Sequence, residues 1–454
     1  MSNSNGEDRV SPHFFIMIAG VVSIISSLGA PLVPVIANQY HISSSLGQWS
    51  LTIALLFSTA TTPILAKLSA SGRYKTIIFT VLILTALGCF ISSVAPNFSL
   101  FLVGRALQGC GLGLIPTLMF AAQNLLKHPQ KTVSLLSVTT GIGVGIGYPV
   151  SGVLVIFLGL KATFFFGGVF TLLAAVIATR LINREKIKTK FDFYGAFYMT
   201  IILCSLILLL GSLTSEINIK LMLLYALILA LSLFFWVKSE QNAIDPLIRI
   251  RIVLLPGAWI PNFIALLSGT LMYMLISASM IRIQQQTFPG FAKSALVAGL
   301  VLTPLSIATL ISRYISFDTF GHYARLFAGN VCLGSSFIVF SIVYGGIIWD
   351  FIAMALCGYG IGLIYGVLPA VIKEKINACD TAEVYSLNQI SRSIGYSIGS
   401  VISINIISAF FQNAYGEPGS YAYLTLGTVA IIISIMLCLT ILYNYRVAVI
   451  PQQD

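Results

Sequence analysis

The sequence predicts an all-α polytopic membrane protein, and three observations carry that prediction. Of 454 residues, 57% are hydrophobic and only 9% charged, too little charge to cover a water-soluble domain of this size. Apolar runs of about twenty residues recur along the whole chain, each long enough to cross roughly 30 Å of hydrocarbon as a helix. The basic residues between the runs fall overwhelmingly on alternate loops, as the positive-inside rule requires of a membrane bundle. A backbone in lipid satisfies its own polar groups only as a helix or a closed barrel, and barrel strands of about ten alternating residues are too short for these runs.

In chain order the runs are 14–37, 48–69, 76–95, 99–122, 132–157, 162–183, 193–214, 219–238, 256–281, 294–315, 326–346, 350–372, 384–412 and 421–444, which gives fourteen crossings. A polar tail, residues 1–13, carries Arg9. The first run alone resembles a signal peptide, but thirteen further runs favour a retained helix. Nineteen of the 25 Lys and Arg lie on the side of the N-terminus. Four lie opposite (Lys161, Lys220, Arg282, Lys293), and Arg105 and Arg392 fall inside runs. This bias puts both termini, including the tail 445–454, in the cytoplasm. The net charge of +11 is thus an orientation signal aided by anionic lipid. Spread over many short loops, it argues against nucleic-acid binding.

An internal repeat organises the chain. Gly109-Cys110-Gly111-Leu112-Gly113-Leu114-Ile115 of the fourth run matches Gly358-Tyr359-Gly360-Ile361-Gly362-Leu363-Ile364 of the twelfth at an offset of 249. Ser134, Leu135, Gly143 and Gly147 match Ser386, Leu387, Gly395 and Gly399 at 252, and Gly72-Arg73-Tyr74 matches Gly321-His322-Tyr323 at 249. Matching helix order with matching orientation implies two parallel six-helix bundles, 14–183 and 254–444, able to rock about a midplane cavity. The basic linker 184–253 carries the two runs that belong to neither copy.

Chemistry-bearing residues are few. An arginine inside a span costs several kcal/mol unless it faces a polar cavity or a partner, which singles out Arg105. Gln108 lies one turn along the same face. The alternative is that Arg105 snorkels to the outer interface. Gly143, Gly147, Pro149 and Gly152 form a small-residue stretch suited to close packing or to a hinge. Asn388, Gln389 and Arg392 make the thirteenth run unusually polar and are candidates for the second-half cavity, the alternative being Arg392 on lipid phosphate. Asp350 is the one acid near a span's outer part, either a titrating group or an interfacial cap, and Asp192 reads as an N-cap. Asp318, Glu374, Asp380 and Glu383 belong to loops or helix ends, where structural ion pairs are expected. Seven scattered cysteines and four dispersed histidines offer no metal-ligand spacing, and no phosphate-cradling GxxxxGK[ST] loop occurs. Neither metal nor cofactor is expected, and an enzyme is disfavoured.

With these motifs in view, the chain resembles the major facilitator superfamily, and within it the fourteen-helix drug:proton antiporters that include Gram-positive tetracycline exporters. The resemblance covers nearly the full length. Arg105, Gln108, Gly109, Gly111 and Gly113 match the family's helix-4 motif, whose arginine is implicated in proton coupling. Gly143, Pro149 and Gly152 match its antiporter motif, with Tyr148 where glycine is expected. Phe191-Asp192-Phe193-Tyr194-Gly195 and Asp245-Pro246-Leu247-Ile248 resemble features that bracket the inserted helices. Ala66-Lys67-Leu68-Ser69-Ala70-Ser71-Gly72-Arg73 resembles the gating loop but lacks its aspartate, whereas Asp318 and Gly321 keep that spacing in the second half. Helix 1 lacks the acid of many members; Ile25 falls near its place.

The resemblance implies a monomeric, multi-pass protein of the bacterial cytoplasmic membrane that exports a small amphipathic or drug-like molecule by proton antiport. Lacking acidic partners for Arg105 and Arg392, the sequence favours a neutral or anionic substrate. The alternative is an uncoupled facilitator or importer of a small metabolite.

Overall fold

The computed structural model describes residues 11–29, 32–42, 44–69, 71–183, 192–212, 219–243, 246, 248–284, 290–291, 295–313, 321–342, 346–378, 380–412 and 419–449. Asp318, Phe191, Asp245, Leu247, Ala70, Lys293, Cys379, the basic stretch 184–190 and the outermost parts of both tails (1–10 and 450–454) lie outside them.

The described chain is helical throughout: α1 (Pro12–Ser27), α2 (Val33–Gln39), α3 (Ser44–Ser69), α4 (Tyr74–Val94), α5 (Phe98–Leu112), α6 (Leu114–Leu125), α7 (Gln130–Ala178), α8 (Phe193–Ser212), α9 (Ile219–Asn242), α10 (Ile250–Val253), α11 (Pro256–Gln284), α12 (Ala295–Val301), α13 (Thr303–Ile311), α14 (His322–Ile342), α15 (Ile348–Lys375), α16 (Thr381–Gln412) and α17 (Gly419–Val449). Among the described residues eleven helices are long and apolar enough to cross a membrane, and two shorter apolar helices, Pro12–Ser27 and Val297–Ile311, accompany them.

Local chemistry sets the breaks. The Asn97 side chain caps α5 by accepting the Leu100 N–H at 2.9 Å, which satisfies one of the four orphan donors at a helix start. Asp192 does the same for α8, accepting from Gly195 N–H at 2.8 Å, as its sequence position suggests. The runs 132–157 and 162–183 are separated by a single non-helical residue, Gly159, at φ +79°, a left-handed conformation that glycine alone adopts without strain. The run 14–37 divides into α1 and the short α2, 99–122 divides at Gly113, and 294–315 divides into α12 and α13.

The matched glycines make matched contacts. A Cβ at Gly109 of α5 would collide with the Ala54 carbonyl of α3, and one at Gly358 of α15 with the Leu305 carbonyl of α13. Gly143 and Gly147 of α7 close on Ser23 and Ser27 of α1, while Gly395 and Gly399 of α16 close on Leu266 and Thr270 of α11. The same sequence positions therefore let backbones meet at the same places in each copy. α1, α4, α13 and α15 all pack on α7, whereas α16 packs on α11, α3 and α6. α8 rests on both α3 and α16 and carries α9 on its outer side, with Tyr198 stacked on Phe235 at 5.9 Å. α9 exposes Leu223, Leu227 and Phe234, the apolar surface expected of a helix facing lipid.

Gly109→Val and Gly358→Val should each destabilise the bundle by about 1–3 kcal/mol, because a backbone carbonyl cannot rotate out of the way. Gly20→Ala, with nothing within 4 Å of the added methyl, should be neutral or slightly stabilising. Thermal unfolding of the detergent-purified protein checks all three. Equal melting points for Gly358→Val and wild type would refute the close-approach argument.

Candidate functional site

Arg105 is fully buried in α5. Its Nε donates to the Ser50 carbonyl of α3 at 3.0 Å, and its Nη1 to Gln108 Oε1 at 2.6 Å. Gln108 Nε2 in turn donates to Ser92 Oγ at 2.9 Å and to the Gly88 carbonyl at 3.1 Å. The shared network expected from the one-turn spacing therefore exists, and the snorkelling alternative is excluded by complete burial. Arg105 Nη2 has no hydrogen-bond partner among the described residues. It lies against Gly29, where a Cβ would strike it, and Phe164 packs 5.7 Å from the guanidinium. Among the described residues no carboxylate enters this network.

Arg392 of α16 is also buried and does not reach for lipid phosphate. Its Nη1 donates to the Ser137 carbonyl of α7 at 2.5 Å and its Nη2 to Ser137 Oγ at 2.6 Å. The guanidinium lies over the Tyr365 ring at 3.8 Å, a cation–π contact strengthened by exclusion of water. Arg392 Nε and, one turn away, Gln389 Nε2 have no partner among the described residues. Asn388 is turned elsewhere, donating to the Pro261 carbonyl at 3.3 Å and to Asn262 Oδ1 at 3.2 Å on α11.

The link to Ser137 belongs to a longer seam along one face of α7. Arg313 Nη2 donates to the Lys131 carbonyl at 2.9 Å, Ser134 Oγ to the Gly366 carbonyl at 2.6 Å, and Ser306 Oγ to the Ile142 carbonyl at 2.6 Å. Residues 131, 134, 137 and 142 recur at helical spacing on that face. On another face Gly143 and Gly147 hold α1, while Gly145 meets Ser306 and Leu302. Pro149 is half-buried within α7 and Gly152 is buried.

Two corrections concern the outer end of the second copy. Arg282 is not in a loop: α11 runs on to Gln284 and buries it. Asp350 is not a cap: it lies in the first turn of α15, fully buried, in an ion pair with Arg282. Arg282 also donates to the Phe340 carbonyl at 2.7 Å and stands 3.7 Å over the Phe340 ring. At the offset of 249 the first-copy counterpart of Asp350 is Phe101, which packs with Leu32, Ile36 and Phe164. One copy fills this place with hydrocarbon and the other with an ion pair.

The loop residues are less concentrated. Gly72 adopts φ +77° in the turn before α4 and Arg73 is exposed. Gly321, its sequence match, lacks a positive φ. Lys67 Nζ donates to the Pro246 carbonyl at 2.8 Å. Arg249 pairs with Glu383 at 3.0 Å and Asp380 at 2.5 Å. Burial opposes its charge, but the two carboxylates outweigh that and raise its pKa. Glu374 faces His322 at 3.0 Å.

Sequence reasoning missed Ser137, Arg282 and the four tyrosines Tyr148, Tyr273, Tyr365 and Tyr396. Tyr148 offered one signal, standing where the related motif has glycine. Arg282 fell one residue past the end drawn for its run.

Comparison with known proteins then supplies the family. The profile of the Major Facilitator Superfamily matches residues 15–400. The chain is 23% identical over 422 residues to the lincomycin resistance protein LmrB of Listeria monocytogenes, covering 88% of this chain and 87% of that protein. It is 24% identical over 370 residues to the multidrug transporter protein MdtP of Bacillus subtilis (78% and 67%). It is 23% identical over 327 residues to the uridine/deoxyuridine transporter of Lactococcus lactis (68% of each). In fold it is similar to the POT family transporter PepTSo (TM-score 0.64, 12% identity, 98% of this chain and 99% of that one). It is also similar to the human organic anion transporter MFSD10 (TM-score 0.67, 12%, 95% and 99%). A family match spanning most of the chain, on an all-helical bundle of apolar spans, makes this protein a member of the major facilitator superfamily, a multi-pass membrane transporter of small molecules.

Proposed function

We propose that the protein exports small amphipathic or drug-like molecules from the bacterial cytoplasm by proton antiport, through rocking of two six-helix bundles. The observation that carries this reading is the seam of α7. It joins α7 to α13, α15 and α16 by a handful of hydrogen bonds, the neutral ones worth about 0.5–1.5 kcal/mol net and those from guanidinium groups about 1.5–3 kcal/mol, and buries the Arg392 guanidinium, which meets no carboxylate among the described residues. Such a seam is weak enough to open and polar enough to receive a solute.

The topology proposed has fourteen crossings: α1 with α2, α3, α4, α5 with α6, α7 before and after Gly159, α8, α9, α11, α12 with α13, α14, α15, α16 and α17. Residues 14–183 and 254–444 form the bundles; within the linker 184–253, α8 lies across the α3–α16 boundary and α9 packs on α8. The basic loops favour cytoplasmic termini. The similarity to LmrB and MdtP supports export. The similarity to a uridine/deoxyuridine transporter supports the second reading, a facilitator or importer of a metabolite; transport indifferent to a pH gradient would favour it.

Asp350 is assigned as the coupling acid. A proton on its carboxylate cancels the attraction for Arg282 and frees α11 from α15 at that end. A buried ion pair contributes little net stability, and Phe101 in the other copy does the same packing without charge.

Four outcomes are expected. Reporter fusions at both termini should report the cytoplasmic side; opposite sides would break the fourteen-span scheme. Cells carrying the gene should resist at least one compound in a growth-inhibition panel, and proteoliposomes should move that compound against its gradient when a pH difference is imposed. The double variant Arg282→Met/Asp350→Leu should melt within a few degrees of wild type yet lose gradient-driven accumulation at least tenfold while retaining counterflow. Unchanged accumulation would remove Asp350 from the coupling step. Arg105→Ala should reduce transport at least tenfold by the same assay, with Arg105→Lys less affected.

A further inference from the structure

A row of tyrosines runs through the seam from one acid-free guanidinium to the other. Tyr148 of α7 is within electrostatic reach of both Arg105 and Tyr273 of α11. Tyr273 stacks on Tyr396 of α16, ring centroids 4.3 Å apart and planes 20° from parallel. Tyr396 faces Tyr365 of α15, and Tyr365 lies under Arg392 at 3.8 Å. Tyr148, Tyr365 and Tyr396 are buried and Tyr273 is half-buried, so the row is closed in this state.

Its chemistry selects a solute. Neutral tyrosines supply flat faces and hydroxyl groups, suited to an aromatic ring. Among the described residues Arg392 has only the neutral acceptors of Ser137, and its Nε and the amide nitrogen of Gln389 are buried without partners. A planar carboxylate or sulfonate would bind the guanidinium fork bidentately, roughly doubling the strength of each hydrogen bond. Of the described acids on the helices of this row, Asp350 and Glu383 are distant and already engaged. Asp350 lies fifteen residues from Tyr365 along α15, roughly 22 Å at 1.5 Å per residue, and is held by Arg282. Glu383 lies nine residues from Arg392 along α16, roughly 13 Å, and is held by Arg249.

We propose that this row is the binding site for a planar aromatic anion, whose acid group displaces Ser137 from Arg392 while its ring enters between the tyrosines. The inference rests on the transporter reading above and names its substrate class. It also ties occupancy to movement, because the bond that the anion breaks is one that joins α7 to α16.

The test uses two planar dyes of similar size, anionic carboxyfluorescein and cationic rhodamine 123. Binding to the detergent-purified full chain is followed by fluorescence anisotropy, and flux is followed in proteoliposomes under a pH gradient. Carboxyfluorescein should bind and move. Arg392→Gln should weaken its binding at least tenfold and Arg392→Lys less. Tyr396→Phe should bind nearly as wild type, whereas Tyr396→Leu should not. Ser137→Ala, which removes a competing acceptor, should tighten binding a few-fold. Monodisperse elution and an unchanged melting point for Arg392→Lys and Tyr396→Phe guard against misfolding. Transport of rhodamine 123 with carboxyfluorescein ignored, or carboxyfluorescein binding untouched by Arg392→Gln, overturns the inference and leaves the transporter reading standing. No flux of either dye, together with no resistance in cells, removes both.

Discussion

A guanidinium withdrawn from water into a low-dielectric bundle costs several kcal/mol unless its charge and its N–H donors are met, and this constraint shapes the interior. Three arginines meet it differently. Arg105 uses a carbonyl and Gln108 within its own copy. Arg282 uses Asp350 and two aromatic rings. Arg392 reaches across to Ser137 and lies on Tyr365. The first is wholly local, the second is a closed ion pair, and the third depends on two elements that need not stay together.

The helix α7 makes that third arrangement possible. Glycines at 143 and 147 give α1 a close approach on one side, against Ser23 and Ser27. Serines and carbonyls on the other side give α13, α15 and α16 hydrogen bonds, set beside Val138 and Tyr148, which join the apolar cluster of the second copy. The helix thus meets α1 through glycines and meets α13, α15 and α16 through side-chain hydrogen bonds. The second copy repeats the glycine side, with Gly395 and Gly399 of α16 on α11, which is why the glycine spacing recurs in both.

Much of this was legible in residue order. Apolar run length identified the helices, because lipid leaves the backbone no alternative, and the glycine repeats at offsets of 249 and 252 anticipated close helix approaches that recur in both copies. Arg105 and Gln108 were legible because an i, i+3 pair is a local matter. What escaped was everything set by meeting of distant helices. Ser137 lies 255 residues from Arg392 and nothing in either segment names the other. The tyrosines come from α7, α11, α15 and α16, one or two per helix, and no single stretch is unusual enough to betray a row. Arg282 was lost to a boundary: hydropathy ends the run where the charge appears, while the helix continues and buries it.

The account stands or falls on whether the α7 seam must part for solute to pass. In a cysteine-free background, Ser134→Cys with Gly366→Cys would place two thiols across it, since a Cβ at Gly366 lies 3.4 Å from Ser134 Oγ, within reach of a disulfide. Flux of a transported compound measured before oxidation, after oxidation and after reduction is the direct measurement. The account predicts transport, arrest and recovery in that order; undiminished flux through the fully crosslinked protein would contradict it.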